Sequence, residues 1–121
     1  MSTPIGPYAP IARAGELLIT SGQLGVVPGP GGAPILVPGG TGAQLAQALA
    51  NADALLASEG ASRTDVVKAT VFLCDMADFA LVNEVWTAFF GAHRPARSAV
   101  GVAALPMGAA VEVELLAHRR A

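Results

Sequence analysis

The sequence predicts a small α+β domain, with one mostly antiparallel or mixed β-sheet and two helices packed on one of its faces. Three observations point there. Two segments carry apolar residues at helical spacing: Leu45, Leu49, Ala52 and Leu56, then Phe79, Val82 and Trp86 with Phe89 or Phe90. Around them lie β-branched and aliphatic runs at Leu17 to Ser21, Val66 to Leu73, Arg97 to Leu105 and Ala110 to Ala117. The chain has 121 residues, a length that suits a single domain over 1–121 and is short for two.

The first strand, Leu17-Leu-Ile-Thr-Ser21, follows Gly15-Glu16 and stops at Gly22. From Val26 to Gly32 proline and glycine are too frequent for regular structure, and Pro34-Ile-Leu-Val37 is a candidate edge strand, so the segment between Gly25 and Gly40 reads as a loop or hairpin. Thr41-x-x-Gln44 has the spacing of a capping box, which predicts a helix over about 42–59, with Gly60 as its left-handed C-terminal cap. In the next strand Val67, Ala69, Val71 and Leu73 alternate with Lys68, Thr70 and Phe72. Asp75 or Asp78 can cap the second helix, and Gly91 ends it. After the Arg97–Leu105 run, Pro106-Met107-Gly108 makes a tight turn into a closing strand, with Val111, Val113 and Leu115 on one face and Glu112 and Glu114 on the other. The order is β(β)αβαββ. Two helices cover one face of such a sheet. The other face carries Val100 and Val102 or Ala99 and Ala103, apolar in either register, which predicts contact with sister subunits.

Hydrophobic residues make up 53% of the chain and charged residues 13%, against about 25% charged in an average domain. That excess of apolar residues also points to an oligomer. Seven basic and nine acidic residues leave a net charge of -2, so the chain lacks the positive field that a nucleic-acid backbone requires. The longest uncharged stretch, Leu17 to Ala52, holds four prolines and eight glycines, which excludes a membrane helix. Met1 to Pro7 shows no targeting pattern, and a cytoplasmic location is expected. Cys74 is the single cysteine; an internal disulfide and a multi-thiolate zinc site are ruled out, and a buried, inert thiol is expected.

Few residues remain to carry chemistry. Gly29-x-Gly31-Gly32 lacks the lysine and the strand-to-helix setting of a phosphate loop. His93 and His118 have no partner at metal spacing, so no metal is expected. Ser21-Gly22 lacks the setting of a nucleophile elbow. Arg97 is more informative, because it begins a segment that is uncharged from Ser98 to Val111. A guanidinium there needs an anionic partner, which is either the carboxylate of a ligand or Glu112 or Glu114. Glu112 is either a solvated strand carboxylate or a base. Convergence with Arg97, Ser21 and Tyr8 would assemble a cation, a base and two hydroxyls in one place.

Five ordered blocks then resemble the RidA (YjgF) family over nearly the whole chain: Gly6-Pro7-Tyr8, Thr20-Ser21-Gly22-Gln23, Asn83-Glu84-Val85, Pro95-Ala96-Arg97-Ser98 and Leu105-Pro106-x-Gly108-Ala109-Ala110-Val111-Glu112-Val113-Glu114. The resemblance implies a chorismate-mutase-like α+β fold and a homotrimer, its sheets forming a central barrel and its three sites lying between subunits. It also implies hydrolysis of reactive enamines and imines such as 2-iminobutanoate and 2-iminopropanoate to 2-oxo acids and ammonia, without metal or cofactor. By the same resemblance Arg97 pairs with the substrate carboxylate and Glu112 positions or activates the water. Tyr8, Ser21, Gly22 and Asn83 line the pocket, and Ala99 stands where the family often has a cysteine, leaving a backbone contact there. Trp86 and Met107 replace residues that are commonly tyrosine and lysine, and helical spacing places Trp86 in the core. The rival reading from another class is a non-catalytic trimer that binds small carboxylates for regulation. An endoribonuclease, as some relatives are labelled, conflicts with the acidic balance.

Overall fold

The computed structural model describes residues 4–119; the N-terminal reading at Met1 to Thr3 and the last two residues lie outside them. Eight strands are present: β1 (Ile11–Ala14), β2 (Leu17–Thr20), β3 (Gln23–Leu24), β4 (Val26–Pro28), β5 (Pro34–Leu36), β6 (Val66–Leu73), β7 (Ala96–Gly101) and β8 (Val111–His118). The helices are α1 (Gly40–Ser58) and α2 (Phe79–Phe90). The main sheet runs β1-β2-β8-β6-β7, with β3 also paired to β8. It is mixed, because β6 and β7 are parallel across the α2 crossover and the other pairs are antiparallel. β4 and β5 form a separate hairpin, so Val26 to Pro28 is a strand despite its composition.

Both helices lie on one face, as predicted. Leu45, Leu49, Leu56 and Val82 are fully buried against Leu18, Val71, Leu73, Val111 and Val113 of the sheet. The end of α1 follows the expected cap: Gly60 takes φ +77, its N–H donates to Ala57, and the Ala61 N–H reaches back to Leu56. Its start does not. The helix begins at Gly40 with Gly39 as N-cap, and the Thr41–Gln44 capping box does not form, because both side chains have tertiary partners. The Thr41 hydroxyl donates to Asp78 Oδ2 at 2.6 Å, and Gln44 Oε1 accepts the Ala110 N–H at 2.9 Å. A long-range hydrogen bond has outcompeted a local one at each residue. Asp75 caps the turn before α2 through the Ala77 N–H, and Gly91 at φ +64 ends that helix.

Four further expectations are corrected. A bulge between Val66 and Lys68 shifts the alternation, so Val66 is buried and Val67 is exposed. The Arg97–Leu105 run ends as a strand at Gly101, because its partner β6 stops at Leu73 and nothing continues the ladder. Strand β1 is present although Ile11-Ala-Arg-Ala offers one β-branched residue; pairing with β2 across the Gly15 turn sustains it. Cys74 is exposed, since it sits where β6 leaves the sheet, with its Sγ 3.4 Å from the Ala109 carbonyl oxygen.

The second sheet face is open. Leu17, Ile19 and Val100 on it are 36%, 42% and 40% exposed. Ala99 instead points to the helix side and packs against the core. Among the described residues no helix is long and apolar enough to cross a membrane.

Candidate active site

β2 and β3 are two pieces of one strand line along β8, interrupted at Ser21-Gly22. The buried Thr20 hydroxyl bridges the interruption by accepting the Leu115 N–H at 3.0 Å, so the ladder bond lost there is replaced by a side chain. This break brings the backbone of Gly22 against Glu112. A Cβ on Gly22 would lie 2.7 Å from Glu112 Cδ, so any larger residue there has to push the Glu112 carboxylate aside.

The Ser21 hydroxyl donates to the Ala9 carbonyl oxygen at 2.7 Å, and the Ser21 N–H donates to Pro10. Two bonds thus hold the N-terminal segment across the cleft and place Tyr8 beside Glu112. Ile5, Tyr8, Ser21, Gly22, Pro106 and Glu112 line the cleft, and Glu114 stands at its far edge. Met107, at φ +61, belongs to the turn that forms the opposite wall. No group among the described residues donates a hydrogen bond to the Glu112 carboxylate. Burial pushes its carboxyl above the ordinary value of 4.5, and the neighbouring Glu114 charge pushes it further. A carboxylate with a raised pKa is, once ionised, a stronger base than an ordinary one.

Arg97 is elsewhere. In β7 it is paired with Ala69 and faces the helices, whereas Glu112 is paired with Phe72 on the open face. The sheet therefore separates them within one protomer. Neither carboxylate of β8 neutralises Arg97, and its only hydrogen-bond partner among the described residues is Asn83 of α2, whose Oδ1 accepts from Nη2 at 2.8 Å. Its guanidinium carbon lies 5.2 Å from the Trp86 ring centroid and 5.5 Å from that of Phe79. Trp86 is a core residue, 5% exposed, and at the same time floors the Arg97 site.

The expected residues thus fall into two half-sites: Tyr8, Ser21, Gly22 and Glu112 in one, Asn83 and Arg97 in the other, with Ala99 two residues beyond Arg97 on the same side of β7. Sequence reasoning missed the closeness of Phe79 to Arg97, and although it put Glu114 on the same strand face as Glu112, it gave Glu114 no part in the cleft. The first had a signal, because Phe79, Asn83 and Trp86 are spaced i, i+4, i+7 along α2. The His93 Nε2 is 2.8 Å from the Val66 carbonyl oxygen. Among the described residues no group of three or more His, Cys, Asp or Glu side chains could hold a metal ion.

Residues 1–119 match the family described as endoribonuclease L-PSP. The chain is 45% identical to the 2-iminobutanoate/2-iminopropanoate deaminase of Bos taurus over 113 residues, 93% of this chain and 80% of that protein. It is 44% identical to the protein of the same name from Escherichia coli K12, over 96% of this chain and 90% of the relative. Among solved structures it is similar to RidA from an Antarctic Psychrobacter, with a TM-score of 0.89, 39% identity and coverage of 97% of this chain and 92% of the other.

Proposed function

The chain belongs to the endoribonuclease L-PSP family, also named RidA or YjgF, and we propose that it hydrolyses small 2-imino acids and their enamine tautomers to 2-oxo acids and ammonia. One observation carries the assignment of roles: among the described residues, a guanidinium without a carboxylate partner and a carboxylate without a donor stand on opposite faces of one sheet. A planar substrate that uses both must sit between two subunits, the Arg97 half-site of one protomer facing the Glu112 half-site of the next. The open apolar face supports closed threefold association into a barrel. Light scattering should then return three times 12.1 kDa, about 36 kDa. A monomer would remove the composite site.

In that site Arg97 takes the substrate carboxylate through parallel N–H···O bonds and fixes the plane of the C=N group. Water adds to the carbon of the protonated imine while Glu112 accepts one of its protons. Glu112 then returns that proton to the nitrogen of the carbinolamine; as the C–N bond breaks and the carbonyl forms, the carbinolamine hydroxyl gives its proton to Glu112, and the departing ammonia carries that proton away as ammonium. Tyr8 and the Ser21 oxygen border the position of the water and nitrogen, and Gly22 lets the carboxylate lie close to the backbone. A ribonuclease substrate is disfavoured, since Glu112 and Glu114 would repel a phosphate chain in the cleft.

The test is a coupled assay in which an amino-acid oxidase or threonine dehydratase releases the imine and semicarbazide traps it. The wild-type protein should deplete the trapped product, and Arg97→Ala should not. Depletion by neither protein would favour a carboxylate-binding regulatory trimer.

A further inference from the structure

Helix α2 presents Phe79, Asn83 and Trp86 on one stripe, and Arg97 of β7 lies against all three. An acidic residue at any of these positions would anchor the guanidinium more strongly, but it would also neutralise it and compete with an incoming carboxylate. Aromatic faces attract the cation without that competition, and a neutral amide fixes its orientation through one of five N–H donors. We infer that Phe79 and Trp86 are positioning residues, an aromatic seat that holds Arg97 in the orientation that accepts a planar 2-oxo or 2-imino carboxylate. The inference rests on the proposed role of Arg97 as the carboxylate clamp.

The two rings differ in what they contribute. Trp86 is buried in the core beneath the guanidinium, whereas Phe79 is 40% exposed, with its ring centroid 5.5 Å from the guanidinium carbon. Removal of the Phe79 ring should therefore leave the fold intact and loosen the clamp. Because the rings do not touch the reacting carbon, the expected signature is weaker binding with turnover kept. Trp86 is also the single tryptophan of the chain, so its emission reports directly on what Arg97 holds.

The experiment uses the full chain and 2-oxobutanoate as the probe, titrated by Trp86 fluorescence and by calorimetry, beside steady-state kinetics on oxidase-generated imine. For Phe79→Ala both KM and the probe Kd should rise about threefold to tenfold, with kcat held within twofold, as loss of one cation–π contact implies. Phe79→Tyr, which keeps the ring, should restore both values, and saturating probe should alter the wild-type emission. If Phe79→Ala leaves KM and Kd unchanged while Arg97→Ala abolishes probe binding, the seat is wrong and the clamp stands. If Arg97→Ala itself retains probe affinity, the clamp reading fails as well. A Phe79→Ala loss that tyrosine does not rescue would also overturn the inference, because it would mark a packing effect.

Discussion

Two arginines lie against helix α2, and they serve opposite ends. Arg63 stacks on Phe89 at 4.1 Å, donates to the Phe89 carbonyl oxygen and forms an ion pair with Asp53 at 2.8 Å, so its charge is satisfied within the chain. Arg97 also lies over aromatic rings, yet its one hydrogen-bond partner among the described residues is the neutral Asn83 amide. The first arrangement is complete and the second has capacity left over. A guanidinium held in place by the fold but not neutralised by it is prepared for an anion from outside.

The largest effects should come from splitting that pair by substitution. Arg97→Ala should lower kcat/KM on carboxylate-bearing imines by about 10²- to 10⁴-fold, with circular dichroism and oligomer mass unchanged. Arg63→Ala should leave kcat/KM within about twofold and reduce stability by about 1 kcal/mol in urea titrations, since its half-exposed ion pair is screened by solvent. Matching activity losses in the two variants would erase the distinction between them. Next comes Glu112→Gln, expected to reduce kcat by about 10²- to 10³-fold while 2-oxobutanoate affinity changes little. Equal losses of turnover and affinity would return the site to a binding role.

A smaller effect tests the other half-site through its backbone. In Gly22→Ala the added carbon has to displace the Glu112 side chain, which it would otherwise approach to 2.7 Å. A drop of about tenfold in kcat with a nearly unchanged KM is expected, since the base moves and the Arg97 half-site does not. An unchanged kcat would show that the position of the Glu112 carboxylate is not critical.

The two half-sites were also unequally legible in the sequence. The helices, the core stripe and the face of Glu112 follow from periodicity, because they depend on neighbours three or four residues apart in a helix and two apart in a strand. The separation of Arg97 from Glu112 does not follow, since it is set by the pairing of β7 with β6 and of β6 with β8. Val67 was misplaced by a bulge, and Thr41 and Gln44 by bonds to Asp78 and Ala110, far away along the chain. Cys74 was expected to be buried because of its residue type, while its exposure comes from its place at the end of β6. For Thr41 and Gln44 a tertiary contact overrode a sound local rule, and for Val67 and Cys74 the geometry of β6 did so.

The smallest effect concerns pH and separates the two causes acting on Glu112. Its carboxyl is raised first by burial and then by Glu114, so the folded protein binds the Glu112 proton more tightly than the unfolded chain does. Stability from this group is therefore lost as pH rises from the unfolded value of 4.5 through the folded one, and Glu112→Gln should flatten that decline in urea titrations across the window. For activity the sign is opposite, because the base has to be ionised, and the acid limb of kcat/KM should follow the folded Glu112 value. Glu114→Gln removes only the second cause. It should move the acid limb toward lower pH while leaving the burial contribution in place. An acid limb that stays fixed in Glu114→Gln would mean that burial alone sets the base, and a limb that moves upward would mean that Glu112 is not the group being titrated.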